Sequence, residues 1–253
     1  MIFNKFFILL KIGRKIGKSN IINIISETHR IPVFIKIFFD LLAFSFSSSK
    51  DTKSKSKDNL STSIQEMGTT FIKLGQFLAT RPDIIGEKLS KELESLQDKL
   101  PPFSKKEAEK IIIENLGQSN FDDIIDLSEP IAAASIAQVH KAKIKEDNII
   151  KNVAIKVLRP NIKKIFNDEI DAIMLLAYIV ESLITKTKRL KLIEVVFLFK
   201  EITNHEMDLR FEAAAANEYA ENTKNDLGFI VPKIYWNFTS ESVLTLDWID
   251  GIS

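Results

Sequence analysis

The stretch PIAAASIAQVHKAKIKEDNIIKNVAIKVLRP (130–160) decides the fold of this chain of 253 residues. Apolar and polar residues alternate up to residue 145, a polar turn EDNIIKN (146–152) follows, and VAIKVLRP (153–160) resumes a β-type pattern. Pro160 ends this run, because proline has no backbone N–H to give to a neighbouring strand. The stretch therefore predicts a β-hairpin.

The segments downstream add helices and further strands. Two long helical patterns cover 161–186 and 191–224, and the tail 231–253 contains two strand-type runs around a polar turn at 239–242. Strand-type runs on both sides of helical patterns predict a small antiparallel sheet with helices inserted between its strands. The fold class that we expect is therefore α+β.

The segments upstream are helical. Apolar residues recur at intervals of three and four in 59–80, and 86–98 is a second amphipathic stretch. Ser104 and Glu107 form a capping box that opens a further helix, and Gly117 closes it. We therefore expect a helical extension in front of the sheet.

Composition excludes several classes of site. The chain has no Cys, which excludes a disulfide scaffold, a Cys nucleophile and a thiolate-bound metal. Its three His are spread over the chain, so we expect no metal site. Residues 1–60 carry 11 Lys/Arg and 4 Asp/Glu (11 − 4 = +7), and the remainder carries 24 and 30 (24 − 30 = −6). A basic head on an acidic body is typical of an arm that seeks a surface.

The basic head, residues 1–46, has two open interpretations. Its most apolar part, 31–46, carries Lys36 and Asp40 and falls short of the roughly 18–20 apolar residues of a spanning helix. An interfacial amphipathic helix on an anionic membrane fits this composition, and a helix packed on the rest of the protein is the alternative. The Ser/Lys-rich stretch 47–58 predicts a flexible linker. It lacks interleaved aromatic residues, so we expect no nucleic-acid partner.

The hairpin, the strand V-A-I-K and the helix that follows are ordered as in the N-terminal lobe of a protein kinase. In kinases this Lys pairs the α- and β-phosphates of ATP, and a Glu of the next helix orients it. Lys156 is the candidate here, and a solubilising edge-strand lysine is the alternative. Where kinases have a Gly-rich loop, this chain has Ala132, Ala133, Ala134 and Ser135, whose Cβ atoms make a stiffer turn.

The sequence resembles the UbiB family of atypical, kinase-like proteins linked to ubiquinone biosynthesis. The resemblance rests on six segments in order: FIKLGQFLATRPD (71–83), LQDKLPPF (96–103), PIAAASIAQVHKAK (130–143), VAIKVLRP (153–160), EMDLRFEAAAANEY (206–219) and VPKIYW (231–236). It implies a kinase-like N-lobe at 129–253. A helical gating extension with a K-x-G-Q motif precedes this lobe at 59–128.

The resemblance also implies roles for a set of gating residues. Lys73, Gly75 and Gln76 match the K-x-G-Q motif, which the family carries on a helix laid over the active site. Glu206 and Asp208 match the E-x-D motif that meets this helix. Lys73 and Gln76 are three residues apart, so they project from one helix face.

The resemblance implies a nucleotide site as well. Glu212 matches the helix glutamate that pairs with Lys156, and the phosphates of ATP or ADP would lie between this pair and the Ala-rich turn. By spacing alone, Asp208 and Glu212 share a helix face, where they repel unless a cation such as Lys156 or Lys73 lies between them. A solvated acidic face is the alternative.

The chain lacks the motifs of a kinase C-lobe. It contains no H-x-D-x-x-x-x-N and no suitably placed D-F-G, so we expect the catalytic Asp and Asn and the Mg²⁺ ligands to be missing. The resemblance therefore indicates the N-terminal half of an ATP-dependent protein. Whether the chain is an enzyme stays open, because these residues alone should not catalyse phosphoryl transfer.

Two functions remain as hypotheses. The first is a UbiB-type atypical kinase or ATPase that supports ubiquinone biosynthesis at the cytoplasmic face of a bacterial inner membrane as a peripheral protein. Its partners would be the membrane surface, polyprenyl lipid precursors and a C-lobe fragment that associates in trans. The alternative is a non-catalytic remnant or a membrane- or lipid-binding scaffold without ATPase activity.

Overall fold

The computed structural model describes residues 2–18, 60–96 and 100–251. The predicted linker 47–58 and residues 19–46 of the head lie outside the described residues. In chain order the elements are α1 (Ile2–Lys18), α2 (Leu60–Met67), α3 (Thr69–Ala79), α4 (Pro82–Ile85), α5 (Glu87–Glu94), α6 (Lys105–Leu116), α7 (Gln118–Asp122), β1 (Ile124–Ile125), β2 (Pro130–Ala133), β3 (Ala137–Glu146), β4 (Ile149–Leu158), α8 (Ile162–Leu183), α9 (Leu192–Glu206), α10 (Leu209–Thr223) and β5 (Val243–Asp247). Two 3₁₀ turns occupy Thr185–Leu190 and Trp236–Phe238.

The chain divides into two compact units. We call residues 1–98 and 164–201 the helical unit, and residues 99–163 and 202–253 the sheet unit. These bounds differ from the sequence-based division into a helical extension (59–128) and a lobe (129–253). Helix α6 is part of the sheet unit because Ile112 is buried in the core of the sheet. Most of α8 is part of the helical unit because Ala172 is buried in the core of that unit.

The sheet unit is built on one antiparallel sheet. Its strands run in the order β1-β3-β4-β5, and β2 also pairs with β3. Strands β3 and β4 form the expected hairpin, but its turn has only two residues, Asp147 and Asn148, with φ of 50° and 61°. Two positive φ values define a type I′ turn, which Asp and Asn tolerate. The predicted turn 146–152 is therefore too long, because β4 already begins at Ile149.

One face of the sheet forms the core of this unit. The alternate residues Val153, Ile155 and Val157 of β4 are fully buried, and Ile112 of α6 packs with them. Successive side chains of a strand point to opposite faces of a sheet. Lys156 therefore lies on the face opposite this core.

The predicted strand within 231–236 is reduced to a single bridge between Ile234 and Leu246. The N–H of Tyr235 donates to the carbonyl of Thr245 at 2.9 Å, and the chain then enters the 3₁₀ turn. The hydroxyl of Tyr235 donates to Asp247 at 2.6 Å, and burial together with this carboxylate raises the pKa of Tyr235. These contacts hold the segment where a longer strand ladder was expected.

The helical unit breaks one predicted helix in two. The stretch 59–80 forms α2 and α3 because Gly68 takes φ of 103° between them, a conformation that favours glycine. The ammonium of Lys15 in α1 donates to the carbonyl of Met67 at 2.7 Å. It thereby satisfies one of the carbonyls that the end of α2 leaves without an intrahelical partner.

Helix α1 packs into the core of the helical unit. Ile8, Ile12 and Ile16 stand four residues apart on one helix face, and Ile12 is only 3% exposed, among Leu60 and Phe71. For residues 2–18 this packing matches the alternative interpretation of the head, and membrane contact stays a prediction. Within the described ranges, no helix combines the length and the apolar character needed to cross a bilayer.

Helix α6 begins and ends as the sequence predicts. The side chain of Ser104 accepts from the N–H of Glu107 at 3.3 Å, and the carboxylate of Glu107 accepts from the N–H of Ser104 at 3.2 Å. These reciprocal bonds are the capping box. Gly117 follows the helix with φ of 82° and closes it.

Candidate functional site

Lys156 and Glu212 are brought together in the sheet unit. The ammonium of Lys156, on β4, lies 2.7 and 3.0 Å from the two carboxylate oxygens of Glu212, in the first turn of α10. Their side chains are 28% and 48% exposed, so the pair is open to solvent. An ammonium has three N–H donors. A carboxylate can therefore orient it and still leave a donor for an anionic ligand.

Asp208 holds the start of α10. Its backbone has φ of −121° and lies outside the helix, and its side chain accepts from the N–H of Arg210 at 3.1 Å. The guanidinium of Arg210 donates to both carboxylate oxygens, at 2.6 and 2.9 Å, and these bonds lower the pKa of Asp208. The carboxylate is thus an N-cap and an ion-pair partner at once.

This geometry corrects the expectation for the acidic residues. The spacing of Asp208 and Glu212 predicts one shared helix face with one cation between the two. The helical pattern 191–224 instead breaks into α9 and α10, and each carboxylate has its own cation, Arg210 for Asp208 and Lys156 for Glu212. The break was missed because apolar residues continue through it, with Met207 and Leu209 both buried.

Ala132, the first residue of the Ala-rich turn, and Lys156 lie on one face of the sheet. Ala132 of β2 pairs with Val139 of β3, which pairs with Lys156 of β4. Side chains of directly paired residues share a sheet face, and strands are about 4.8 Å apart. Ala132 is therefore about 10 Å across the strands from Lys156. Beyond it, Ala134 N donates to Ala137 O at 2.8 Å and closes the turn.

The gating residues fall into different units. Lys73, Gly75 and Gln76 lie on α3 in the helical unit, and Glu206 and Asp208 belong to the sheet unit. The meeting of the two motifs therefore stays a prediction. Within its own unit, the glycine has a packing reason, since a Cβ at Gly75 would overlap the side chain of Leu96 and lie 3.3 Å from that of Ile64.

Two buried polar residues of β3, Gln138 and His140, stand on the core face of the sheet, opposite Lys156. His140 is fully buried, its Nδ1 lies 2.8 Å from the carbonyl of Ser128, and its Nε2 lies 2.9 Å from the amide of Gln138. Burial lowers the pKa of His140 from its ordinary 6.5, because the surroundings disfavour the charged ring. Among the described residues, no group of three or more His, Asp or Glu is placed to hold a metal ion. The sequence does carry a signal for them, because both stand at positions of β3 where the alternation of apolar and polar residues predicts a side chain in the core.

Comparison with known proteins identifies the family. Residues 95–253 match the family model of the ABC1 atypical kinase-like domain. The chain is 34% identical over 223 residues to the probable protein kinase UbiB of Marinobacter nauticus, which covers 88% of this chain and 40% of that protein. It is 32% identical over 246 residues to the probable protein kinase UbiB of Pseudomonas aeruginosa, with 96% and 45% covered. For the protein of the same name from Vibrio cholerae, the identity is 37% over 198 residues, with 77% and 36% covered.

The chain thus spans less than half the length of these relatives. The family model includes the hairpin, Lys156, Glu212 and the tail, which are the parts that carry the kinase-like arrangement. The expected α+β fold with a small antiparallel sheet is confirmed. The chain belongs to the UbiB family of ABC1 atypical kinase-like proteins.

Proposed function

We propose that this chain supplies the nucleotide-binding lobe of a UbiB-type atypical kinase or ATPase. Lys156 contacts the phosphates of ATP or ADP, and Glu212 orients its ammonium. The observation that carries the proposal is the contact between the two, at 2.7 and 3.0 Å, on the sheet face that also bears Ala132 of the Ala-rich turn. Family membership supports it, because kinases use a β-strand Lys and a helix Glu in this way.

The residues of the site fit an anionic ligand. An exposed Lys–Glu pair contributes little to stability, typically about 0–1 kcal/mol, so folding alone gives a weak reason for this geometry. The positive charge of Lys156 is directed by Glu212, and the small side chain of Ala132 leaves space on the same face. The turn has Cβ atoms where a Gly-rich loop has none, so its backbone approaches phosphates less closely.

Hydrolysis needs groups beyond this site. Kinases take their Mg²⁺ ligands and catalytic Asp from the C-lobe. We therefore propose that nucleotide binding is the part of the activity that these residues supply. Phosphoryl transfer then requires C-lobe residues, provided in cis or by a fragment in trans, and the reaction supports ubiquinone biosynthesis through polyprenyl lipid precursors.

The experiment is a titration of the full chain with fluorescent ADP and ATP. We expect Lys156→Met to weaken binding about tenfold or more, because hydrogen bonds to charged groups are worth about 1.5–3 kcal/mol. Glu212→Gln should weaken it less, since the ammonium stays but loses its orientation. The matched control is Lys143→Met on β3, whose ammonium pairs with Asp126 at 2.8 Å on the same sheet, and it should bind like the unaltered chain.

Denaturant unfolding of the same variants separates function from stability. Lys156→Met and Lys143→Met should each change the free energy of unfolding by less than about 1 kcal/mol, since both pairs are exposed. Loss of binding only together with unfolding would count against a phosphate contact. An unaltered chain that binds neither nucleotide would favour the scaffold alternative.

We also propose that the helical unit meets an anionic membrane surface. One face of α8 carries apolar side chains at positions i, i+3, i+4 and i+8 that are 40–68% exposed: Leu175, Tyr178, Ile179 and Leu183. The 3₁₀ turn that follows the helix carries exposed Lys188 and Arg189. Apolar side chains beside cations are typical of an interfacial surface on anionic lipid, which is the reason to choose a bilayer over a protein partner.

Vesicle sedimentation tests this surface. The chain should bind vesicles with anionic lipid more strongly than neutral ones, and Tyr178→Ser with Leu183→Ser should weaken the binding. Ile149→Ser with Ile150→Ser is the matched control, because these side chains are 54% and 60% exposed at the hairpin tip of the sheet unit. Equal effects of the two pairs would contradict the assignment. The site of attachment would be the cytoplasmic face of a bacterial inner membrane, as a peripheral contact.

A further inference from the structure

The side chain of Arg159 binds the backbone of the Ala-rich turn. It follows β4 directly, and its guanidinium donates to the carbonyl of Ala134 through Nε at 3.1 Å and through Nη2 at 2.8 Å. Its backbone N–H donates to the carbonyl of Ile136 at 2.8 Å. One residue thus holds two carbonyls of the four-residue turn 134–137.

The same guanidinium reaches a second segment. Its Nη1 donates to the carbonyl of Pro101 at 3.0 Å, and its Nη2 lies 3.4 Å from the carbonyl of Leu100. The planar guanidinium with its five donors is suited to bridge carbonyls in this way, and a lysine ammonium is not. Arg159 therefore connects two segments that lie 25 and 58 residues before it.

The second segment is itself fixed to β3. The amide of Gln138 accepts from the N–H of Phe103 at 2.9 Å and donates to its carbonyl at 3.2 Å. Gln138 is only 1% exposed, so these two hydrogen bonds are shielded from water. The carbonyl of Pro101, two residues before Phe103, is thereby a firm anchor for Arg159.

The turn needs such an anchor. Its two central residues, Ser135 and Ile136, are 0% and 8% exposed, and neither has a positive φ. Two-residue hairpin turns usually take positive φ, because that geometry matches the twist of the strands. Here the local backbone does not supply this match, so contacts from outside the turn have to hold it.

We propose that Arg159 is a positioning residue that locks the Ala-rich turn in one conformation beside Lys156. Lys156 lies near the end of β4 and Arg159 follows the strand directly, so the strand joins the lock to the phosphate contact. The part of this inference that concerns ligand affinity rests on the proposed nucleotide function. A turn that is already ordered costs less to bind against than one that has to be ordered by the ligand.

Amide hydrogen exchange on the full chain without nucleotide tests the lock. In Arg159→Met the amides of 132–137 should exchange about tenfold faster or more, because the turn opens without global unfolding. Arg159→Lys should not restore protection, since the three donors of an ammonium all lie on one nitrogen and cannot reach both segments as the three nitrogens of the guanidinium do. The matched control is Lys163→Met, which removes a cation paired with Glu241 in the same unit and should leave these amides unchanged. Unchanged exchange in folded Arg159→Met would overturn the proposal.

A measurement on the unaltered chain covers the case in which Arg159→Met does not fold. The Nε–H of Arg159, observed by nitrogen-15 NMR, should exchange slowly with water, because it is bonded to Ala134. Rapid exchange would overturn the lock without any variant.

Measuring the affinity for ADP separates this inference from the proposed function. With the lock removed, ADP affinity should fall about fivefold while the protein remains folded, through the lost order of the turn. Faster exchange with unchanged ADP affinity would overturn a positioning role. If the unaltered chain binds no nucleotide, the proposed function fails, and the exchange measurements alone decide whether Arg159 holds the turn.

Discussion

Gly75 makes close packing possible within the helical unit. A Cβ there would meet Leu96 and Ile64, so a larger side chain has no room. We expect Gly75→Val to lower the free energy of unfolding by about 1–3 kcal/mol through overpacking. Gly75→Ala should be closer to neutral, because the tip of Leu96 can shift and Ala gains about 1 kcal/mol of helix propensity over Gly. Denaturant unfolding measures both variants.

The control for this prediction is Gly251→Val. A Cβ at Gly251 would meet nothing within 4 Å, so its replacement should leave stability unchanged. Equal stability of Gly75→Val and the unaltered chain would show that the helices separate easily. Close packing would then not explain why the K-x-G-Q motif has a glycine at this position.

His140 predicts a pH dependence of stability. Burial lowers its pKa below 6.5, Lys105 adds to this shift, and Glu129 and Glu109 oppose it. The folded state therefore binds this proton less readily than the unfolded state. Its contribution to stability is present above about pH 6.5 and is lost as the pH falls through the folded pKa. The slope is at most about 1.4 kcal/mol per pH unit for one proton.

Unfolding free energies between pH 7.5 and 5, for the unaltered chain and His140→Gln, measure this effect. The variant lacks the titrating ring, so its stability should fall less steeply in this range. Parallel curves would mean that the pKa of His140 is the same in the folded and the unfolded state, so that burial does not disfavour its charged form.

Single residues were predictable where they match a sequence pattern. Lys156 and Glu212 followed from the V-A-I-K strand and the family motif, and the structure places them in contact. Arg159 and Gln138 were not predicted, because they bind backbone carbonyls and N–H groups, and any residue can supply those. Because the partner group is backbone, the residue type at the partner position gives no indication of such a contact.

At the scale of the element, the N-terminus of α6 allows a clean test. Ser104→Ala removes the side-chain acceptor for the N–H of Glu107 and should cost about 1 kcal/mol of stability. Ser104→Gly should cost only a few tenths of a kcal/mol, because glycine tolerates the cap conformation. Lys106→Ala on the exposed face of the same helix is the control, with an expected change within about 0.5 kcal/mol. If Lys106→Ala lowers the free energy of unfolding as much as Ser104→Ala does, the cap does not stabilise the helix.

Elements were predicted better than their breaks. The capping box and Gly117 set both ends of α6, because cap residues act within a few positions of each other. The breaks at Gly68 and Asp208 were missed, since the apolar spacing runs on through both. Periodicity detects the buried face of a helix and is insensitive to a single residue that leaves the helical conformation.

At the scale of the whole molecule, the boundaries of the units were the least predictable feature. Helix α6 lies far in sequence from β5, yet both contribute to one core, through Ile112 and Val243. Likewise Ile12 of α1 and Ala172 of α8 share the core of the helical unit although they are 160 residues apart in sequence. Local patterns say which face of an element is apolar, and they do not say which distant face covers it.

The gating motif gives a prediction for the assembled molecule. If α3 covers the nucleotide site, as the family motif implies for Lys73 and Gln76, binding of ADP should slow amide exchange in α3. At a ligand concentration of 100 times the dissociation constant, binding contributes about 2.7 kcal/mol, so exchange through the opened state should slow about a hundredfold. Exchange measured with and without ADP on the full chain tests this.

Helix α5 is the matched control for that measurement. It belongs to the same helical unit, and its core contacts come from Leu89 and Leu93, but it carries no part of the gating motif. Its amides should exchange at the same rate with and without ADP. Equal slowing of α3 and α5 would indicate general stabilisation of the unit, and slowing of neither would leave Lys73 and Gln76 without a gating role. Only protection confined to α3 supports a helix that closes over the bound nucleotide, because general stabilisation acts on the whole unit and a cover protects where it touches.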